Sequence, residues 1–138
     1  MRGKVLRRLN PVQLIQAVRE VIEEHTGLEC CTNPQDKTSP FYAIAITATR
    51  PVKSKTMRLE DFDLDIHAIS VPSESQADVL GMVASMEEAI EACPELCPPW
   101  HVVSATENGL VQCVQDPTSE WHAVVSYTVR VSYGLLIK

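Results

Sequence analysis

The stretch from residue 61 to residue 67 holds the side chains whose types and spacing look most suited to chemistry. Asp61, Asp63 and Asp65 alternate with apolar residues, and His67 continues the alternation. On a β-strand this spacing places the carboxylates on one face, about 7 Å apart. Such a row could hold a hard cation such as Mg²⁺, but a cation site also needs ligands from other segments, and the sequence marks none. A solvated acidic strand face is the preferred interpretation, and no metal is predicted there.

A second candidate for metal binding lies among the cysteines. Cys93, Cys97 and His101 stand four residues apart, and Cys30 or Cys31 could complete a zinc site. The spacing departs from the usual paired Cys-x-x-Cys pattern, and three prolines stiffen the segment. An odd total of five cysteines, two of them adjacent, favours reduced thiols over disulfides. We therefore predict neither a metal nor any other cofactor.

Signatures of catalysis are missing from the sequence. There is no Gly-x-Ser-x-Gly motif, and five glycines in all form no phosphate-binding loop. Nucleophilic catalysis needs a Ser or Cys held by an oriented base, and the four histidines are scattered over separate segments. The sequence therefore predicts a protein that is not an enzyme and that works by binding other proteins.

Composition narrows the class of protein further. A chain of 138 residues with 45% hydrophobic residues fits one globular domain. The formal net charge of -6 argues against general binding of nucleic acid, which requires a basic surface. No apolar run is long enough for a membrane span or a signal peptide, so we expect synthesis in the cytosol and no membrane partner.

The first ten residues form a basic segment that we treat separately from the domain at 11–138. It carries Arg2, Lys4, Arg7 and Arg8 and no acidic residue. Such a segment is either a solvated terminus or an arm that docks on an acidic neighbouring subunit, and the sequence leaves both open.

Two helices are predicted from their periodicity and their end signals. The first spans about 11–26, with Asn10 as its cap and Gly27 as its left-handed stop. The second begins near a capping box formed by Ser73 and Gln76 and ends at about residue 92, before a proline-rich segment.

Six strands complete the prediction. A short one is expected near residues 28–32, and a long hairpin is expected at about 41–70, with its first strand largely covered on both faces. Asn108-Gly109 predicts a second hairpin, between strands at 100–106 and 110–115. The last strand alternates strictly from Ala123 to Tyr133. The fold class is therefore α+β, in the order α-β-β-β-α-β-β-β, with two helices on one face of a mainly antiparallel sheet.

Four segments in this layout carry a family resemblance. They are the helix end His25-Thr26-Gly27, the strand Phe62-Asp63-Leu64-Asp65-Ile66, the helix segment Met86-Glu87-Glu88-Ala89-Ile90 and the strand Trp121-His122-Ala123-Val124-Val125-Ser126-Tyr127-Thr128-Val129. With them, the sequence resembles the tail-completion or tail-terminator proteins of long-tailed phages and prophages over nearly its whole length.

The resemblance implies a structural virion protein, assembled in the host cytoplasm at the head-proximal end of the tail. It would form a ring, usually six-fold, with the tail tube protein on one side and the head–tail connector or stopper on the other, and DNA would only pass through as cargo. A connector, a stopper and a minor capsid adaptor remain alternatives. A small metal-binding or regulatory cytosolic domain is the alternative from another class.

The 41–70 hairpin is our hypothesis for the assembly element. Its tip carries Lys53, Lys55 and Arg58, and its second strand carries the acidic row that begins at Asp61. The tip of one subunit could therefore meet the acidic face of the next in a head-to-tail contact, and such contacts can close into rings. The basic segment at residues 1–10 is the second candidate contact.

Overall fold

The computed structural model describes residues 9–34 and 37–135. It confirms the α+β class, with two helices and five strands in this part of the chain. They are α1 (Pro11–Thr26), β1 (Cys30–Cys31), β2 (Phe41–Val52), β3 (Met57–Ile69), α2 (Ala77–Glu91), β4 (His101–Gln115) and β5 (Trp121–Leu135).

The strands form one sheet in the order β1-β2-β3-β5-β4. The two-residue β1 pairs with β2 in parallel, and all other pairs are antiparallel. The predicted hairpin is present as β2 and β3, but β3 also pairs with β5 along its whole length. The hairpin is therefore integral to the sheet of its own subunit, and β4 forms the long edge of that sheet.

Both helices pack on one face of the sheet, and the hydrophobic core lies between the two layers. The alternation predicted for the last strand is confirmed, since its odd-numbered residues from 123 to 133 are buried. The largest fully buried side chains are Tyr42, Tyr133, Phe62, Leu9, Leu14, Ile22, Ile44, Leu64, Ile66, Met86, Val18 and Val79.

Helix α1 has the bounds that its end signals predicted. The Asn10 side chain accepts a hydrogen bond from the Val12 N–H at 3.0 Å, and Pro11 occupies the first turn. Gly27 has a φ of 73°, and its N–H donates to the Glu23 carbonyl. Because these signals act within a few residues, they could be interpreted without the tertiary structure.

The predicted capping box of α2 is wrong. Gln76 precedes the helix but makes no capping hydrogen bond with its side chain. The Ser75 hydroxyl instead accepts from the Ala77 N–H at 3.1 Å, and Ser73 accepts from the Ser75 N–H. Successive serine turns therefore lead into the helix a few residues later than the sequence indicated.

The hairpin predicted at Asn108-Gly109 is also wrong, because β4 continues through it. Residues on both sides of this dipeptide pair with β5. A single shift of register, between Glu107 and Gly109, accommodates one extra residue in β4. Asn108 donates a hydrogen bond to the Thr128 hydroxyl on β5 at 2.8 Å. The dipeptide forms a β-bulge, so the sheet has one strand fewer than predicted.

Strand β2 is covered on both faces only over its first four residues. Phe41 and Ala43 pack with Cys31 and Ile69 on the face away from the helices. Beyond Ile44 the strand becomes largely exposed. The prediction that this strand is largely covered on both faces is therefore wrong for the half of β2 nearer the hairpin turn.

Candidate functional site

The acidic row of β3 lies on the sheet face opposite the helices, as the alternation predicted, but its first member is not solvated. Asp61 is only 8% exposed. Its two carboxylate oxygens accept hydrogen bonds from Nε of Arg130 at 2.8 Å and from Nη2 of Arg130 at 3.2 Å. The interpretation as a solvated acidic face is therefore wrong at Asp61, whose partner comes from β5.

Asp63 is paired as well, and both Asp63 and Asp65 are only partly exposed. The guanidinium of Arg50 on β2 donates two hydrogen bonds to Asp63, and the Thr128 hydroxyl donates a third at 2.9 Å. The Arg50 hydrogen bond lowers the pKa of the Asp63 carboxyl. Asp65 has no ion pair within the described part of the chain. Two of the three charges in the row are thus neutralised inside the subunit.

The basic residues of the hairpin turn are available at the surface. Lys53, Lys55 and Arg58 are exposed, and neither lysine forms an ion pair within residues 9–34 and 37–135. The Arg58 guanidinium lies 5.5 Å from the centre of the Tyr133 ring, a cation–π distance. The other predicted contact residues, Arg2, Lys4, Arg7 and Arg8, lie outside the described residues.

A groove of about 450 Å³ separates α2 from β4, and acidic side chains line it. Glu87, Glu88 and Glu91 come from α2, whereas Glu107 comes from β4. Glu88 is 3.2 Å from Nε2 of His25 on α1. No lysine or arginine among the described residues forms an ion pair with the other three carboxylates.

Two carboxyl groups of this groove are hydrogen-bonded to each other. The side chain of Glu87 bonds to that of Glu107, and this contact, together with burial, raises the pKa of Glu87 to about 7. Two carboxylates can share such a bond only if one of them holds a proton. The groove still carries negative charge, because Glu91 also lines it and pairs with no lysine or arginine of the described residues.

Apolar side chains are exposed along the same edge of the sheet. Seven large apolar residues are exposed in the described ranges, and four of them belong to β4. Leu80 of α2 is also exposed, at 41%. The pairing of β4 with β5 shifts register three times, so bulges interrupt the edge. The four residues of β4 are Val103, Leu110, Val111 and Val114.

One cluster in the described part of the chain has metal-ligand character. Single ligand atoms of Asp116, Glu120 and His122 lie within 4.8 Å of one another. Asp116 already accepts hydrogen bonds from the Thr118 N–H and the Glu120 N–H, and its other oxygen is 3.0 Å from His122. These contacts fix the turn between β4 and β5, and they account for the cluster without a ligand.

The cysteine and histidine set from the sequence is not assembled. Cys93, Cys97 and His101 are all exposed, and they form no ligand cluster within the described residues. All five cysteines are free thiols. Cys30 is buried, and burial raises the pKa of its thiol to about 12, which disfavours the reactive thiolate.

The α2–β4 groove is the surface that sequence reasoning missed. Glu87 and Glu107 are twenty residues apart and belong to different elements, so periodicity could not bring them together. The available signal was the run of acids at positions 87, 88 and 91 in the second predicted helix. No helix in the described ranges is both long and apolar enough to span a membrane.

Comparison with known proteins defines first the fold and then the family. A chain from a solved structure titled "Virion of native gene transfer agent (GTA) particle" has a similar fold, with a TM-score of 0.61 and 14% identity. The match covers 88% of this chain and 92% of that one. No curated protein matches the sequence.

A family model described as "Putative tail termination protein" matches residues 5–138. The chain belongs to this phage tail terminator family and is a structural protein of the phage tail. The resemblance drawn from the sequence is therefore confirmed. The match includes Arg7 and Arg8, so it extends into the basic segment at residues 1–10.

Proposed function

We propose that this protein terminates the phage tail as a homo-oligomeric ring, six-fold in the usual case, which caps the tail tube and joins it to the head connector. The observation that carries this proposal is the family match over residues 5–138. The exposed apolar residues of β4 support it, because an isolated subunit gains nothing from leaving them in water. The ring would lie at the head-proximal end of the tail, after assembly in the host cytoplasm.

The ring would have two protein neighbours and a passive cargo. The tail tube protein binds one face, and the head–tail connector or stopper binds the other. DNA passes through the channel, and a subunit of net charge -6 suits a wall from which phosphates are repelled. Contacts between proteins, not catalysis, would perform the function, in agreement with a buried Cys30 thiol whose pKa is raised.

Electron microscopy of tail tubes mixed with the purified protein tests the proposal. We expect a ring at one end of each tube and six-fold symmetry in averaged end views. Binding along the tube wall, or to isolated heads and not to tubes, would contradict termination. Binding to heads alone would favour the connector or adaptor alternative.

A further inference from the structure

Two sets of charged side chains that have no ion pair within the described part of the subunit lie on different parts of its surface. Arg50 and Arg130 are used by the acidic row of β3, and Lys37 pairs with Glu29. Lys53 and Lys55 remain unpaired at the β2–β3 turn, within the described ranges. On the acidic side, the groove between α2 and β4 keeps a set of carboxylates without a cationic partner there: Glu87, Glu91 and Glu107.

The two sets cannot meet inside one subunit. Glu107 pairs with Tyr127, which pairs with Leu64 on β3, so the groove is level with Leu64. About nine residues separate Leu64 from Lys55, a distance of roughly 30 Å along an extended strand. The turn also joins the second and third strands in the sheet order, whereas β4 is the fifth. The β2–β3 turn of a subunit therefore cannot reach the groove of the same subunit.

We propose that the α2–β4 groove receives the Lys53–Lys55 turn of a second copy of this chain. The proposal deepens the ring assembly proposed above and rests on it. It replaces the β3 acidic row as the acceptor, because Asp61 and Asp63 are neutralised by their own subunit. The contact joins two different surfaces, so it is heterologous and can close into a ring.

The carboxyl pair in the groove is consistent with a cationic occupant. The contact with Glu107 raises the pKa of Glu87, and the ammonium group of a lysine placed between the two side chains would make a charge-assisted hydrogen bond to each. Such charges steer association and set its register. They also exclude copies that approach in the wrong orientation.

Apolar contact beside the groove would supply much of the affinity. Leu80 and Leu110 are exposed on the two elements that form the groove, and Val111 is 66% exposed at a bulge of β4. Since bulges prevent an edge strand from extending a regular ladder, the neighbour would contact these side chains more than the β4 backbone.

Complementary charge reversals test the contact. One variant carries Lys53→Glu with Lys55→Glu, and the other carries Glu91→Lys with Glu107→Lys. Each variant alone places like charges at every interface, so we expect ring formation on tail tubes to fall at least tenfold. In an equimolar mixture, the acidic turn of the first variant can meet the lysines in the groove of the second, and the basic turn of the second can meet the acidic groove of the first. Rings should therefore re-form with alternating subunits.

The control is Glu20→Lys with Glu24→Lys, an equal charge change at exposed positions of α1, and it should leave ring formation unchanged. Denaturant unfolding establishes that every variant is folded. Normal rings from either variant alone, or folded variants whose mixture makes none, would overturn the proposal. Groove variants that form rings but no longer bind tubes would overturn it as well and would assign the groove to the tube protein. If the wild-type protein forms no ring on tubes, it is the proposed function that fails.

Discussion

Asp61, Asp63 and Asp65 have identical spacing and share one sheet face, yet their neighbours give them different environments. Asp61 is nearly buried against Arg130, whereas Asp65 is half-buried and has no ion pair among the described residues. The strand on either side therefore decides what each carboxylate contributes, and the alternation of β3 alone does not.

Single substitutions at Asp61 and Asp65 should therefore have different effects on the free energy of unfolding. Asp61→Asn leaves the Arg130 guanidinium without its two-point partner, so we expect a loss of about 1–2 kcal/mol in the free energy of unfolding. Asp65→Asn is the matched control and should change it by less than about 0.5 kcal/mol. Denaturant unfolding measures both, and equal effects of the two substitutions would contradict the pairing.

The turn cluster at Asp116 gives a second prediction at this scale. Because Asp116 is engaged by Thr118, Glu120 and His122, we expect protein purified without chelator to contain no stoichiometric metal. Elemental analysis decides the point. Zinc at one ion per chain, lost on Asp116→Asn or on joint Cys93→Ser and Cys97→Ser substitution, would show that a site exists and would locate it.

At the scale of elements, Gly109 of β4 and Gly81 of α2 differ in whether their backbone conformation accepts an alanine. Gly109 has a φ of 112° at the β4 bulge, a conformation that L side chains rarely adopt. Gly81 has an ordinary helical backbone in α2, and a Cβ at either position would meet no atom within 4 Å. Any difference between alanine substitutions is therefore a backbone effect.

We expect Gly109→Ala to destabilise the protein by about 1–3 kcal/mol through backbone strain. Gly81→Ala should stabilise it by about 0.5–1 kcal/mol, because alanine restricts the unfolded chain and favours the helix. Thermal and denaturant unfolding measure both changes. A neutral Gly109→Ala substitution would show that the bulge is not formed as described.

The contact between α2 and β4 predicts a dependence of stability on pH. The pKa of Glu87 is raised from its ordinary 4.5 to about 7, so the folded protein holds a proton that the unfolded chain releases. The resulting stabilisation is fully present below pH 4.5 and is lost as the pH rises through about 7. Burial lowers the pKa of His67, which acts in the opposite direction, so wild type must be compared with a variant.

Glu107→Gln removes the partner carboxylate while it keeps the size of the side chain. We expect the decline in unfolding free energy between pH 4.5 and 7 to be smaller in this variant than in the wild type. Glu95→Gln, at an exposed position, is the control and should follow the wild-type curve. Identical curves for all three proteins would show that Glu87 and Glu107 do not share a proton.

The elements also show where sequence reasoning succeeds. Helix α1 could be predicted because Asn10, Pro11 and Gly27 act locally, and β5 could be predicted because one of its faces is buried along its length. The hairpin predicted at Asn108-Gly109 was wrong because the long pairing of β4 with β5 overrides the local preference of this dipeptide for a turn. The groove could not be predicted, since Glu87 and Glu107 meet only after the sheet has ordered its strands.

At the scale of the whole molecule, the described part of the subunit has a sheet face covered by the helices, an opposite face with a small apolar cluster beside polar side chains, and a long exposed edge at β4. The α2–β4 groove at this edge is acidic and has exposed apolar residues beside it, whereas the β2–β3 turn is basic. The surface therefore has two regions of complementary charge. Two different and complementary surfaces suit the head-to-tail contacts of the proposed ring. Membership of the tail terminator family and this surface arrangement therefore both support the proposed ring at the end of the tail.

The most direct test of the central claim is the distribution of tail lengths in particles made without this protein, measured by electron microscopy. In the proposed function, the protein caps the tail tube and joins it to the head connector. We therefore expect tails of variable and excessive length, unattached to filled heads, and restoration of uniform attached tails when the wild-type gene is supplied. Tails of normal length that are joined to heads in the absence of the protein would contradict the account.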